Sequence, residues 1–166
     1  MSKIGKINIP IPDKVKVLLS GNIINIEGPL GKKSLNIDLD VFDLKIDEGK
    51  EVSIKPKKID QNSKRLWGMN RSLLNNAIIG ASKGYEKTLE LVGVGFRAAL
   101  KGKQLNMQLG FSHDINFDIP EGIKIAVEKQ TILKISGPDK QLVGMVASQI
   151  KSIRPPEPYK LSLIHI

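Results

Sequence analysis

The stretches IPDKVKVLLSGNIINIEGP, Ile11 to Pro29, and IPEGIKIAVEKQTILKISGP, Ile119 to Pro138, resemble each other over their whole length. Each begins with Ile-Pro, continues as a strand, a turn and a second strand, and closes with Gly-Pro. The second stretch is one residue longer, and each half of the chain also ends in an amphipathic helix, although a further strand pair precedes the first helix. The Ile-Pro and Gly-Pro dipeptides that begin and end both stretches predict an internal duplication.

Short strands are predicted in both halves, because apolar and polar residues alternate between Gly, Pro, Asn and Asp turn signals. Such alternation is typical of antiparallel sheets with one solvated face. The predicted strands of the first half are Val15–Leu19, Ile23–Ile26, Ser34–Leu39, Phe42–Ile46 and Val52–Lys55. Those of the second half are Thr88–Val92, Val94–Arg97, Leu105–Leu109, Ile115–Ile119, Ile123–Val127 and Ile132–Ile135.

One helix is predicted in each half, where the apolar spacing changes to three and four residues. The first begins near Asn62 and stops at Gly84. Its predicted stripe consists of Leu66, Met69, Leu73, Ala77 and Ala81, flanked by Leu74 and Ile78. The second runs from about Lys140 to Ser152 with Asp139 as its N-cap. Its predicted stripe consists of Leu142, Val146, Ile150 and Ile153.

These elements predict an α+β fold of two duplicated small domains, each a mostly antiparallel sheet packed with one main helix. The first domain covers residues 1–83 and includes a basic N-terminal arm. The second covers residues 84–166 and includes a Pro-rich extension. The junction near Lys83–Lys87 is short and contains no proline or serine run, so we expect the two domains to be fixed rather than tethered.

The composition excludes several classes of function. The 166 residues carry 26 Lys and Arg against 17 Asp and Glu, a net charge of +9, with no cysteine and two histidines. Without cysteine there is no disulfide framework, Cys-ligated zinc or thiol nucleophile. No apolar run is long enough to cross a bilayer, so no membrane partner is expected. A basic chain suits nucleic acid, and a lysine-rich soluble surface is the alternative.

No acid, base and nucleophile are found in a pattern that predicts catalysis. Gly28–Ser34 lacks the spacing of a phosphate loop, and Gly93–Arg97 lacks the third glycine of a dinucleotide fingerprint. The two glycines instead suggest a bulge or a close backbone approach beside Arg97. Ser112-His113-Asp114 is contiguous, whereas triad residues converge from separate parts of a chain. The basic helix end and Pro-stiffened segment Lys151–Lys160 suit an RNA backbone.

Several of these strings together resemble the bacterial-type large-subunit ribosomal protein L six family. They are SKIGKINIPIP, EGPLGKKS, RLWGMNRSLLNNAIIGASKGYEKTLELVGVGFRA, LGFSHDINFDIPEGI and SGPDKQLVGMVASQIKSIRPPEPYK. The similarity extends over residues 1 to about 160 in the family's order, and GVGFRA, GFSH, GPDKQ and RPPEPYK are specific in combination.

The resemblance implies a structural constituent of the large ribosomal subunit without enzymatic activity, cofactor or metal. It implies binding to large-subunit rRNA near the sarcin–ricin loop and the stalk base, where translational GTPases dock. Neighbouring ribosomal proteins are the other expected partners, and a homo-oligomer is not expected. The implied location is the cytoplasmic ribosome of a bacterium or the ribosome of an organelle. The implied RNA-binding residues are Lys3, Lys6, Arg97, His113, Lys151, Arg154, Tyr159 and Lys160.

One segment departs from the family. The pattern continues after PEPYK with Gly-Lys-Gly and a basic tail, whereas this chain has the apolar sequence Leu161–Ile166. This end lacks the lysines and glycines of the family's last RNA-binding segment, and we expect no functional role for His165. Two alternatives to rRNA binding remain open from the sequence: a protein-only interaction module, and a small enzyme with a site near Arg97 and His113.

Overall fold

The chain divides into two compact units, Met1–Gly84 and Tyr85–Ile166. A computed structural model describes residues 5–47, 50–58 and 60–155, together with the backbone of residues 163–165. Each unit combines antiparallel sheets with one main helix. The predicted α+β class and the duplication are therefore confirmed.

The first unit forms two three-stranded antiparallel sheets and one helix within its described residues. The sheets have the orders β1-β6-β5 and β2-β3-β4. Helix α1, Gln61–Ser82, contacts β6, β3 and β4. The strands are β1 (Ile9–Pro10), β2 (Lys16–Ser20), β3 (Ile23–Glu27), β4 (Lys32–Asn36), β5 (Phe42–Asp47) and β6 (Glu51–Pro56).

The second unit has the same plan with one additional strand. Its sheets have the orders β11-β12-β7-β13 and β10-β9-β8. Helix α2, Lys140–Ile153, packs on β7 and β12. The strands are β7 (Tyr85–Val92), β8 (Arg97–Lys101), β9 (Gln104–Gln108), β10 (Ile115–Asp118), β11 (Lys124–Glu128), β12 (Ile132–Gly137) and β13 (Leu163–His165).

The sheet topology corrects the predicted alignment of the repeat. Among the described residues, six strands precede the helix of each unit, so β2 and β3 are equivalent to β8 and β9, not to β11 and β12. The turns agree, because Gly21 and Gly102 open two-residue hairpin loops with φ of 57° and 63°. The shared Ile-Pro and Gly-Pro dipeptides align two hairpins that are not equivalent in the fold. Strand–turn–strand patterns resemble one another wherever they lie in a fold.

Helix α1 follows its predicted stripe in its second half, where Leu74, Ala77, Ile78 and Ala81 are buried, and departs from it in the first turns. In those turns Leu66 and Met69 are 39% and 50% exposed, whereas Trp67 is buried in the core of the first unit. The indole Nε1 of Trp67 donates a hydrogen bond of 2.7 Å to the carbonyl oxygen of Ile54. This bond satisfies the polar atom of the indole inside the core, so that the large ring can be buried in place of Leu66 and Met69.

Helix α2 largely follows its prediction. Val146 and Ile150 are fully buried, and the side chain of Asp139 accepts a hydrogen bond of 3.0 Å from the Gln141 amide as the N-cap. Leu142 and Ile153 pack at the margin of the core, whose centre also takes in Val143. The predicted stop of α1 is also present, since Gly84 has φ of 76°.

The segment Gly93–Phe96 is a turn, and the predicted strand Val94–Arg97 is wrong. The Phe96 amide donates to the Gly93 carbonyl at 3.3 Å, and strand β8 begins only at Arg97. Gly95 supplies φ of 81°, which a turn of this kind requires. The glycine spacing therefore marks a turn between β7 and β8 rather than a bulge. The short strand β1 and the greater part of β8 were not predicted.

The described part of the chain includes one long helix, the 22-residue α1. Among these residues, no helix combines the length and apolar character that a bilayer span requires.

Candidate RNA-binding surface

Arg97 and the loop 109–114 lie at the same end of the sheet formed by β8, β9 and β10. Arg97 opens β8 and pairs in register with Gln108, the last residue of β9. The loop then leads to Ile115, which opens β10 opposite Met107. Antiparallel pairing therefore brings Arg97 close to the loop that carries His113, and both side chains are exposed.

A buried phenylalanine holds this end of the sheet together. Phe96, 7% exposed, immediately precedes Arg97 and belongs to the core of the second unit. A Cβ placed on Gly93 would lie 2.8 Å from the Phe96 ring, and one on Gly110 would lie 3.5 Å from it. The turn before β8 and the loop after β9 thus pack against one aromatic ring, which fixes the backbone that presents Arg97.

Arg154 joins the end of helix α2 to the same loop. Its guanidinium carbon lies 5.1 Å from the centre of the Phe111 ring, within the range of a cation–π interaction. Arg154 is the C-cap of α2, and Lys151 lies in the last turn of that helix, three residues earlier. Residues three apart lie on the same side of a helix, so Lys151 adds positive charge near the cap.

Four of the predicted residues therefore come from segments that meet in the second unit: Arg97, His113, Lys151 and Arg154. Arg97 and His113 are exposed, whereas Lys151 and Arg154 are half-buried. Ser112, His113 and Asp114 are consecutive and all exposed in the loop. This arrangement suits contact with a large anionic surface rather than chemistry in a closed pocket.

Lys6 is exposed in the first unit, where it lines a pocket of about 380 Å³ together with Lys55, Lys64 and Trp67. It belongs to a different unit from the other described candidates. The remaining predicted residues, Lys3, Tyr159 and Lys160, lie outside the described residues.

The apolar C-terminal sequence has a defined backbone position over three residues. Leu163, Ile164 and His165 pair antiparallel with Val92, Leu91 and Glu90 of β7. Strand β13 thereby extends the sheet that packs against α2. The departure from the family pattern consequently contributes backbone pairing to the fold.

Two aromatic residues of this surface were missed by sequence reasoning. Phe96 lies inside the string GVGFRA and Phe111 inside GFSH, each next to the charged or polar residues that predicted the site. An aromatic residue between a glycine and a polar loop residue is a local signal that could have drawn attention to Phe111. Its contact with Arg154 has no local signal, because it depends on where α2 packs.

The two repeated units, the positive charge and the cluster of basic residues beside the loop 109–114 together define a class: a small basic α+β binding protein. Comparison with known proteins is more specific. The sequence profile of the family described as Ribosomal protein L6 matches residues 92–164. The chain is 48% identical over 160 residues to the large ribosomal subunit protein uL6 of Caulobacter vibrioides, covering 96% of this chain and 89% of that protein.

Two further relatives bear the same name. The protein of Phenylobacterium zucineum is 46% identical over 160 residues, with 96% of this chain and 89% of the relative covered. That of Campylobacter jejuni is 48% identical over 164 residues, with coverage of 96% and 88%. The chain belongs to the ribosomal protein L6 family. It is a structural, non-enzymatic constituent of the large ribosomal subunit, and its bacterial relatives indicate a ribosome-associated location in the cytoplasm.

Proposed function

We propose that the second unit binds large-subunit rRNA through the cationic surface formed by Arg97, His113, Lys151 and Arg154. The observation that carries the proposal is the meeting of two separate basic segments at the loop 109–114, through strand pairing and the contact between Phe111 and Arg154. Arginine presents a planar fork of donors that matches phosphate geometry, and histidine in an exposed loop can donate to a phosphate oxygen.

The surface fits folded RNA better than an unpaired strand. The chain has only four Phe, two Tyr and one Trp. Trp67 is buried in the first unit, and Phe96 is buried in the second. Successive stacked bases require a row of exposed aromatic rings, whereas a folded helix is held through its phosphates and its shape.

We also propose where on the large subunit the protein binds. The bound RNA is the region of the sarcin–ricin loop and the stalk base, and the protein supports the site where translational GTPases dock. Lys3 and Lys6 of the N-terminal arm and Tyr159 and Lys160 of the extension add further contacts with RNA. Neighbouring ribosomal proteins complete the environment, and the chain acts as a single copy.

The experiment is a salt titration of RNA binding. The full chain is titrated with a large-subunit rRNA fragment containing the sarcin–ricin loop, and with an unrelated structured RNA of equal length. Each neutralised phosphate contributes about 0.9 to the slope of log K against log salt. We expect preference for the large-subunit fragment, and a slope that falls by about two in the double variant Arg97→Gln/Arg154→Gln.

A matched control removes the same charge elsewhere in the unit. The double variant Lys124→Gln/Lys129→Gln affects exposed lysines on β11 and the turn after it. It should leave the slope almost unchanged. Equal effects of the two double variants, or equal binding of both RNAs, would contradict the proposal. Association that survives RNA removal and requires a neighbouring protein would instead support the protein-only interaction module.

A further inference from the structure

The repeat places basic residues at equivalent positions of the two units. Lys16 opens β2 as Arg97 opens β8. Lys83 is the C-cap of α1, and Arg154 is the C-cap of α2. Lys16 and Lys83 are both exposed. The first unit therefore carries positive charge at the two positions that mark the cationic surface of the second unit.

A loop also meets the helix end in the first unit. The segment 28–31 joins β3 to β4, as 109–114 joins β9 to β10. The Gly28 amide donates to the Gly31 carbonyl at 3.0 Å, and the Leu30 amide donates to the Ala81 carbonyl at 3.3 Å. The loop is thus attached to the last turn of α1, two residues before Lys83. Leu30 is 54% exposed at its tip.

Strand pairing adds a third lysine to this end of the first unit. Lys16 pairs with Glu27, and Glu27 pairs with Lys32, so the three residues lie side by side on neighbouring strands. The Lys32 ammonium contacts the Glu27 carboxylate at 2.7 Å, with the lysine side chain 76% exposed. An exposed ion pair of this kind is weak and is screened by salt, so a phosphate can replace the carboxylate as the partner of Lys32.

We propose that the first unit carries a second RNA-backbone site, formed by Lys16, Lys32 and Lys83 around the loop 28–31. The inference rests on the proposed function of the second unit. Lysine presents a compact charge without the planar fork of arginine, so this site holds phosphates and does not read bases. The chain then binds rRNA through each of its two units, more tightly than through either one alone.

The first test compares two triple variants of the full chain. Lys16→Gln/Lys32→Gln/Lys83→Gln removes the proposed site, and Lys45→Gln/Lys50→Gln/Lys57→Gln removes three other exposed lysines of the same unit. We expect the site variant to lower the salt slope for the large-subunit rRNA fragment by about two to three, and the control variant by less than one. Unchanged Trp67 fluorescence confirms that the first unit remains folded in each variant.

Substitution of Glu27 should raise RNA affinity, whereas the lysine substitutions lower it. Glu27→Gln removes the carboxylate beside Lys16 and Lys32, so RNA affinity at low salt should rise about two- to five-fold, as expected when one like-signed neighbour of a phosphate is lost. Unchanged or weaker binding of this variant would count against the site. Equal slopes for the two triple variants would also overturn it.

The second test identifies what the loop contacts. A benzophenone amino acid replaces the exposed Leu30, the protein is assembled into large subunits, and the particles are irradiated. A crosslink to rRNA supports the site, whereas a crosslink to protein alone overturns it. If the wild type shows no preference for the large-subunit fragment, the proposed function fails. If Arg97→Gln/Arg154→Gln weakens binding and the lysine triple variant does not, only the second site fails.

Discussion

The contact between Gly28 and helix α1 can be tested with one added methyl group. A Cβ on Gly28 would lie 2.4 Å from the Ala81 carbonyl oxygen and 2.8 Å from the Ala81 Cβ. Both Ala81 atoms are held in place by helix α1, so the loop 28–31 must move to accommodate the added methyl group. Overpacking of this kind costs about 1–3 kcal/mol.

The displaced loop also weakens a hydrogen bond. The Leu30 amide donates to the same Ala81 oxygen at 3.3 Å, a bond that contributes about 0.5–1.5 kcal/mol. Alanine also lowers the conformational entropy of the unfolded chain relative to glycine, which stabilises the folded unit by about 0.4–1 kcal/mol. Gly28→Ala should therefore lower the free energy of unfolding of the first unit by about 2 kcal/mol net.

Urea unfolding followed by tryptophan fluorescence measures this effect. Trp67 is the sole tryptophan of the chain and lies in the core of the first unit, so its emission reports on that unit. With a urea slope of about 1–3 kcal/mol per molar, the midpoint should fall by about 1 M.

The control for this variant is Gly21→Ala, where a Cβ would meet open space but φ is 57°. Left-handed strain should cost about 1 kcal/mol there, roughly half the effect expected at Gly28. A Gly28→Ala midpoint equal to or above that of Gly21→Ala would refute the packing argument.

Three further changes have defined outcomes. Gly144→Ala on α2, where an added Cβ meets no atom within 4 Å, should stabilise the second unit by about 0.5–1 kcal/mol in thermal unfolding, and any loss of stability would contradict this. Gln130→Gly relieves φ of 60° in the turn between β11 and β12 and should raise the melting temperature by several degrees, equivalent to about 1 kcal/mol, whereas a lower value would show that the turn is unstrained. Trp67→Phe leaves the buried Ile54 carbonyl without its donor and should cost about 1–3 kcal/mol by circular dichroism, which an unchanged melt would disprove.

Local signals in the sequence predicted local structure well. Asp139 and Gly84 were identified as helix boundaries because capping depends on a few neighbouring residues. The repeat register was wrong because it depends on which hairpin pairs with which distant strand. The pairing of β12 with β7, and of β6 with β1, is set by tertiary packing, and hairpins of similar sequence do not distinguish these choices.

The candidate surface was predictable only in part for the same reason. Arg97 and His113 lie in neighbouring hairpins, so short-range pairing brings their segments together. The contact between Arg154 and Phe111 forms only once α2 has packed on its sheet. The burial of Trp67 in place of Leu66 and Met69 was not predicted, because it depends on a hydrogen bond to the distant carbonyl oxygen of Ile54.

A crosslink from position 111 tests the central claim most directly. A benzophenone amino acid in place of Phe111, 42% exposed beside Arg154, keeps an aromatic ring in the loop 109–114. Irradiation of large subunits assembled with this protein should join the loop to large-subunit rRNA, and mapping should place the crosslink at the sarcin–ricin loop or the stalk base. Crosslinks only to proteins, or to rRNA far from that region, would contradict the account.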